Sequence, residues 1–472
     1  MKFVYLFLLL LCVPNAIADG LPDLGDSSQL ALTAQDERRI GEEIMRSVNN
    51  SNDVIKDVEV VDYVRNLGYR LAANSGESPQ KFTFFVVQDS SINAFAMPGA
   101  IIGVHSGLIT AASSESELAS VISHEIGHVT QRHIARMIAQ QKQDAWQSFA
   151  AMAFALLAAR SNPQLAGASM QAAQAGAIQK QLDYTREHER EADRVGVQIL
   201  AQSGFDTRAM PSFFDKLMKG TRFYEGSAPS FLRTHPLTTE RIADVRNRVE
   251  QTPYRQVTDS PEFNFTRAKL RAMAGSPQQA VAWFEDILDA KKYVDEASQR
   301  YGLAVSLLRA NQLEAAREEV AWLRNKSPRN PMVETLAANL LIAMNNRSQA
   351  ETQFKQALAM YPNHRGLIYG YAELLLVSNQ LDAAVKLLKE KQLAYPDDPY
   401  LYELKSQAYT RLGKDLLRHQ AQGEAYYLRY NLPGAIEQME LALRSGDGNF
   451  YEISGVEARL KLLRAMLDEP KK

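Results

Sequence analysis

Apolar positions recur at helical spacing over residues 33–73, at Ile40, Ile44 and Val48 and then at Val58, Val61, Val64, Leu67 and Leu71. This spacing predicts two helices, with Thr33 placed to cap the first. The period then shortens. Residues 82–87 and, after the polar turn Asp89-Ser90-Ser91, residues 94–104 read as strands. Pro98 cannot donate to a ladder, and Gly99 and Gly103 weaken a central strand, so the second strand is expected at a sheet edge, open to another chain. Helical periodicity returns after Ser114-x-x-Glu117, a capping-box pattern ahead of Leu118, Val121 and Ile122.

From residue 261 onward only helical patterns recur, and their period can be measured. Pro328, Pro362 and Pro396 stand 34 apart, as do Ala304, Ala338 and Ala372, and Ala316, Ala350 and Ala384. That is the length of a tetratricopeptide helix-turn-helix. The small residues permit close helix packing and each proline ends a second helix. The register is only partly kept before Ala304 and decays around residues 404–430, as capping units do. The fold class predicted is α+β, mainly α: a domain with a small β-sheet followed by an all-α solenoid whose concave face binds a partner.

Lys+Arg 53 against Asp+Glu 55 gives a net charge of −2 over 472 residues, and no basic run appears. Nucleic acid is thereby a poor partner. Lys2 precedes an uninterrupted apolar run over residues 3–13, and Ala16-x-Ala18 follows. Eleven residues match the core of a secretory signal and fall short of the ~17–25 of a membrane span. The expected organisation is a signal peptide over residues 1–18, a domain over 19–260 and the repeats over 261–472, with no transmembrane span. The single cysteine, Cys12, falls in the segment removed, so a metal site must be built from histidines and carboxylates. Residues 149–159 are all apolar and lead into a small-residue, Gln-rich stretch over 164–181. They read as a buried helix, or as a plug, lid or membrane-contacting surface.

His124-Glu125-Ile126-Gly127-His128 is a His-Glu-x-x-His sequence, of which chance predicts about 0.016 in this composition. Positions i and i+4 share a helical face, so both imidazoles reach one ion, while Glu125 is turned about 100° away, towards a water. Zinc suits two imidazoles and a carboxylate, and Glu125 is then a general base. The third ligand is sought in the run Arg186-Glu187-His188-Glu189-Arg190-Glu191-Ala192-Asp193, which composition alone reads as a solvated helix face.

The His-Glu-x-x-His motif, the later Glu189-Arg190-Glu191-Ala192-Asp193 and the earlier Asn93-Ala94-Phe95-Ala96-Met97-Pro98-Gly99 together resemble the gluzincin family of the heat-shock protease HtpX and the prenyl-protein CAAX endopeptidases. The resemblance implies a zincin-like peptidase domain with one Zn2+ per chain. Glu189 is its third ligand and Asp193 orients a histidine ligand. Residues Ala94, Phe95, Ala96, Met97, Pro98 and Gly99 form the edge where substrate docks. The order of signal, soluble peptidase domain and repeats is similar to a periplasmic member of that family from Gram-negative bacteria. That likeness implies a periplasmic endopeptidase that degrades misfolded or stalled outer-membrane proteins and assists their assembly, with the repeats docking the assembly machinery. It also implies that His235, in Arg233-Thr234-His235-Pro236-Leu237, restrains the site as a regulatory fourth ligand, or else stabilises the oxyanion. The alternative function is a chaperone acting through its repeats with little proteolysis. Glu187, His188 and Glu191 read as solvated neighbours, and His105 as a surface residue. His133, about 140° from His128 on a continuous helix, falls outside the site. His364 and His419 read as structural.

Overall fold

The computed structural model describes residues 32–78, 81–140, 186–223, 230–326 and 329–468. Thr33 caps α1 (Ala34–Asn50): its hydroxyl accepts from the Asp36 N–H, and the Asp36 carboxylate accepts from the Thr33 N–H. Asp57 caps α2 (Val58–Ala72) by accepting from Glu59 and Val60. The expected apolar faces are buried in two clusters, Ile40, Ile44 and Val48 in one, Val64, Leu67 and Leu71 in the other.

Strands β1 (Thr83–Val87), β2 (Ala94–Met97) and β3 (Ile101–His105) form one sheet in the order β1-β3-β2, with β3 parallel to β1 and antiparallel to β2. The single edge strand expected over residues 94–104 is therefore a hairpin. Only Ala94–Met97 lies at the edge, while Ile101–His105 is the central strand. Pro98 and Gly99 belong to the turn between them, and Gly99 takes φ +81°. A Cβ on Gly99 would also stand 2.9 Å from the Gly41 Cα, so the turn is pinned against α1. Gly103 sits in the central strand beneath the rings of Phe85 and Phe95, which fill the space its missing side chain leaves.

After α3 (Ser106–Ala111), the Ser114 hydroxyl caps α4 (Glu115–Thr130) by accepting from the Glu117 N–H. The Glu117 carboxylate returns to the N–H of Ser113, one residue earlier than a capping box requires. Helix α4 is the centre of the first half of the molecule: every residue from Glu115 to His128 is buried. Around it stand α2, the sheet, α6 (Arg186–Gln202) and α7 (Ala209–Phe223), sharing a core that includes Val64, Phe84, Ile102, Leu118, Ile122, Ile199 and Phe213. The short elements α5 (His133–Gln140), α8 (Ser230–Thr234) and α9 (Thr239–Glu250) close over its C-terminal end.

The rest is helical. α10 (Pro261–Met273), α11 (Pro277–Asp289) and α12 (Glu296–Arg309) precede a regular series: α13 (Leu313–Lys326), α14 (Pro331–Ala343), α15 (Arg347–Met360), α16 (Arg365–Val377), α17 (Leu381–Ala394), α18 (Pro399–Leu412) and α19 (Asp415–Leu428). First helices begin at 331, 365 and 399 and second helices at 313, 347, 381 and 415, each step being 34. Ala304, Ala338, Ala372, Ala316, Ala350 and Ala384 are all buried. One further unit keeps the helix register where the sequence loses it, because Ser406 and Arg418 replace the alanine pair and the Ser406 hydroxyl donates to the Arg418 carbonyl. α20 (Leu432–Arg444) and α21 (Phe450–Asp468) end the stack.

The two halves are joined by packing and charge. Phe263 and Leu270 of α10 lie in the core that surrounds α4. The Lys269 ammonium stands 2.6 Å from carboxylate oxygens of both Asp57 and Glu59, and the Arg365 guanidinium pairs with Asp62 and Asp398. Among the described residues no helix is long and apolar enough to cross a membrane. Residues 1–18 and the stretches 149–159 and 164–181 lie outside the described residues.

Candidate metal centre

Two helices supply the chemistry, and their close approach is a matter of sequence. A Cβ on Gly127 would stand 3.0 Å from the Ala192 carbonyl oxygen, so glycine is what lets α4 and α6 pack this tightly. The approach sets the His124 and His128 face of α4 against Glu189 of α6. His235, just beyond α8, enters from above, its ring stacked on Phe231 at 4.6 Å between centroids.

His124, His128, Glu189 and His235 form a buried group whose donor atoms all lie within 4.8 Å of one another and which could hold a metal ion. The spacings are regular. His124 Nε2 lies 3.0 Å from His128 Nε2 and 3.5 Å from Glu189 Oε2, and His128 Nε2 lies 3.4 Å from Glu189 Oε1. His235 Nδ1 is 3.4 Å from His124 Nε2 and 2.9 Å from Glu189 Oε1. Ligands bonded at ~2.0–2.1 Å to a tetrahedral ion stand about 3.3–3.4 Å apart, so these separations are close to those of donors that share one such ion. Three imidazoles and a carboxylate suit a first-row divalent ion.

Glu125 is fully buried beside this group. Neither of its carboxylate oxygens makes a well-formed hydrogen bond among the described residues: the His235 Nε2 is 3.5 Å from Oε1, and the backbone N–H of Ala96 faces the carboxylate without closing one. Burial raises its pKa, against the pull of His235, His124 and the backbone N–H of Ala96 on β2. That last contact sets the sheet edge directly alongside Glu125.

A second ring holds the first. Asp193 Oδ1 lies 3.0 Å from His124 Nδ1. The Arg241 guanidinium, on α9 and 1% exposed, grips both Asp193 oxygens at 2.8 Å and reaches Glu189 Oε2 at 2.6 Å. It also donates to the Pro236 carbonyl at 2.8 Å, which anchors the loop bearing His235. Behind His128 stands His133, Nδ1 to Nδ1 at 2.9 Å, and behind His133 stands Glu191 at 3.1 Å.

The electrostatics are those of a site arranged around positive charge. Burial pushes the Glu189 carboxyl up, but His235, His124 and His128 hold it well below the usual range. Asp193, likewise buried, is held low by His124 and Arg241. His124 is lowered by burial, yet Asp193 and Glu189 together raise it to about 10. Burial drives His128 well below the ordinary value. Two carboxylates thus draw a proton onto one imidazole, and a bound cation would take that proton's place.

The structure brings His124, Glu125, His128, Glu189, Asp193 and His235 into one cluster and sets Ala94–Met97 beside it. It corrects three bystander assignments, His188, Glu191 and His105. His188 is buried and stacks on His133 at 4.5 Å, and Glu191 pairs with His133 and Arg136 rather than with solvent alone. His133 stays outside the donor group, as expected, yet touches His128: α4 ends at Thr130 and Arg132 takes a positive φ, so the continuous-helix angle does not apply. His105 is buried, bonded to Ser91 and paired with Asp89. Arg241 went unread altogether, because an arginine six residues beyond His235 carries no mark of burial in its sequence.

Residues 61–249 match Peptidase family M48, and residues 341–408 match a tetratricopeptide repeat. The chain is 37% identical over 435 residues to the putative beta-barrel assembly-enhancing protease of Vibrio cholerae, covering 90% of this chain and 89% of that protein. It is 32% identical over 452 residues to the beta-barrel assembly-enhancing protease of Escherichia coli K12, covering 95% of this chain and 92% of that one. At 29% identity over 196 residues it also matches the mitochondrial metalloendopeptidase OMA1 of Schizosaccharomyces pombe, there covering 42% of this chain and 55% of the relative. The chain belongs to peptidase family M48, in the family of the beta-barrel assembly-enhancing proteases: it is a metalloprotease that carries tetratricopeptide repeats.

Proposed function

We propose that this chain is a zinc endopeptidase of the periplasm that degrades misfolded or stalled outer-membrane proteins and assists their assembly. In this reading residues 1–18 are removed on export, residues 19–260 form the peptidase domain, and residues 261–472 dock clients or the outer-membrane assembly machinery. The names of the Vibrio and Escherichia relatives support the client class, and the two-imidazole, one-carboxylate donor set supports zinc.

The observation that carries the proposal is the convergence of His124, His128, Glu189 and His235 donor atoms beside the buried Glu125. Zinc bound there supplies Lewis acidity towards a peptide carbonyl and acidifies water. The chain's own groups do the rest. His124 and His128 present Nε2 to the site, and the Asp193 carboxylate, 3.0 Å from His124 Nδ1, orients that ring. An extended substrate pairs with the free edge of Ala94–Met97, which carries its scissile bond past Glu125. The Glu125 carboxylate, lacking a well-formed hydrogen bond and raised in basicity by burial, takes the proton of the attacking water and passes it to the leaving amine. Pro98 and Gly99, in the turn, end the docking edge.

With an ion bound, His235 would take the position that a catalytic site keeps for water. As a fourth ligand it holds the enzyme closed; swung out, it is within reach of a developing oxyanion. A closed site also favours the second reading, a chaperone that works through its repeats with proteolysis held back. Cleavage of an unfolded outer-membrane protein by the purified protein, His235→Ala and His235→Ala with Glu125→Gln separates them. The proposal expects His235→Ala to cut faster than the unmodified protein and Glu125→Gln to lower that rate by about 10²–10⁴-fold. Inactivity of all three supports the chaperone reading, and unchanged cleavage by His235→Ala removes the switch.

A further inference from the structure

His128 has a partner that no ligand motif announces. Helix α4 stops at Thr130, and Arg132 takes φ +52°, in the left-handed region that a non-glycine residue occupies only when held there. The Arg132 guanidinium supplies the hold by donating to the Leu32 carbonyl at 2.9 Å and to the Glu37 carboxylate at 3.1 Å. This break in the helix brings His133 against His128. Both rings are buried, and their Nδ1 atoms stand 2.9 Å apart.

Two ring nitrogens at that distance share one proton, since two N–H groups would repel and two bare nitrogens would make no bond. His128 turns Nε2 towards the donor group, 3.0 Å from His124 Nε2 and 3.4 Å from Glu189 Oε1. As a neutral ligand through Nε2 it carries its proton on Nδ1, so His133 Nδ1 must accept. The proton of His133 then sits on Nε2, facing Glu191 Oε2 at 3.1 Å. Arg136 donates to that same oxygen at 2.8 Å, and the His188 ring stacks on His133 with planes 24° apart.

We infer that His133 and Glu191 are positioning residues that set the tautomer and ring orientation of His128, through His128 Nδ1–H donating to His133 Nδ1 and His133 Nε2–H donating to Glu191. The inference rests on the reading of His128 as a metal ligand. The centre is then held asymmetrically: a carboxylate, Asp193, backs His124 directly, whereas a neutral imidazole stands between His128 and its carboxylate.

The test is the affinity of the purified protein for Zn2+, by chelator competition, in His133→Phe, His133→Asn, Glu191→Ala and His128→Ala. Phenylalanine keeps the ring and its stack but offers no acceptor; asparagine loses the ring but its Oδ1 can accept from His128. The relay predicts that His133→Phe weakens binding by about 10–100-fold and that His133→Asn retains more affinity than His133→Phe. A packing role predicts the reverse order, and that order overturns the inference. Glu191 reaches the surface, its side chain 28% exposed, so Glu191→Ala tests the relay even where a ring substitution prevents folding. It is expected to lose about tenfold, and unchanged affinity overturns the inference. Loss of zinc in His128→Ala with normal binding in the other three refutes the relay alone, whereas normal binding in His128→Ala refutes the ligand reading beneath it.

Discussion

Helices α12 to α19 hide alanine and leucine at a fixed spacing, whereas α4, α6 and α9 hide histidine, carboxylate and arginine around a single point. In the repeats each unit buries a small apolar set against its neighbours, so its stability is a sum of local contacts. Around the candidate metal centre no residue is satisfied alone. Arg241 serves Asp193, Glu189 and the His235 loop together, so removing one member leaves several others buried and unpaired. Damage to the first region should stay local, and damage to the second should spread.

Arg241→Leu should break that contrast most severely. It strands two buried carboxylates, and loss of one partner of a buried charge network costs about 3–5 kcal/mol. Chemical denaturation of the metal-free protein should register that loss, and added Zn2+ should recover part of it. A change below ~0.5 kcal/mol would show that the carboxylates are not held as described.

Next comes a pH effect in the repeats. The Lys405 ammonium donates to Gln392 and lies over the Tyr402 ring, and burial pushes its pKa down to about 8 from 10.5. Its folded value lies below its unfolded one, so between them the unfolded chain holds the extra proton and stability rises with pH. Asp193, also lowered on folding, acts with the same sign in a lower window: its contribution is complete above its ordinary value of 3.8 and is lost as pH falls below it. Denaturation midpoints from pH 7.5 to pH 10.5 should show the unmodified protein gaining progressively on Lys405→Met, as the cost of the buried ammonium is relieved. Parallel curves would mean that Lys405 is solvated.

Ala372→Leu should overpack a seam between repeats and cost about 1–3 kcal/mol, with Zn2+ affinity unchanged. Altered zinc binding would mean that the two halves are coupled more tightly than their packing indicates. Least of all, Asn379→Ala should cost about 1 kcal/mol and Asn379→Gly less, since Asn311, Asn345, Asn379 and Gly413 occupy the same left-handed turn at steps of 34. Equal effects of alanine and glycine would remove the backbone argument.

The same contrast explains what could be read in the sequence. The repeats were legible because a stacked unit leaves its signature at one spacing, in Ala304, Ala338 and Ala372. His124, Glu125 and His128 were legible because one helix carries them. Glu189 sits in a charge run whose texture is that of a solvated face, and only the family resemblance singled it out; the fold then set it opposite both histidines. Asp193 and His235 were legible on the same terms. His133 and Arg241 were not, because each owes its place to a break between helices, at Arg132 and after Pro236. Pro98 and Gly99 misled for a related reason: they suggested an edge strand and instead make the turn that divides it from the central one.

The central claim is that one metal ion sits among His124, His128 and Glu189 with His235 as its fourth neighbour. X-ray absorption at the zinc edge, on the zinc-loaded protein and on His235→Ala, tests it most directly. The account predicts one zinc per chain with three imidazoles and one carboxylate in the unmodified protein, and one imidazole fewer, replaced by water, in His235→Ala. An identical first shell in the two proteins, or no stoichiometric zinc in either, would contradict it.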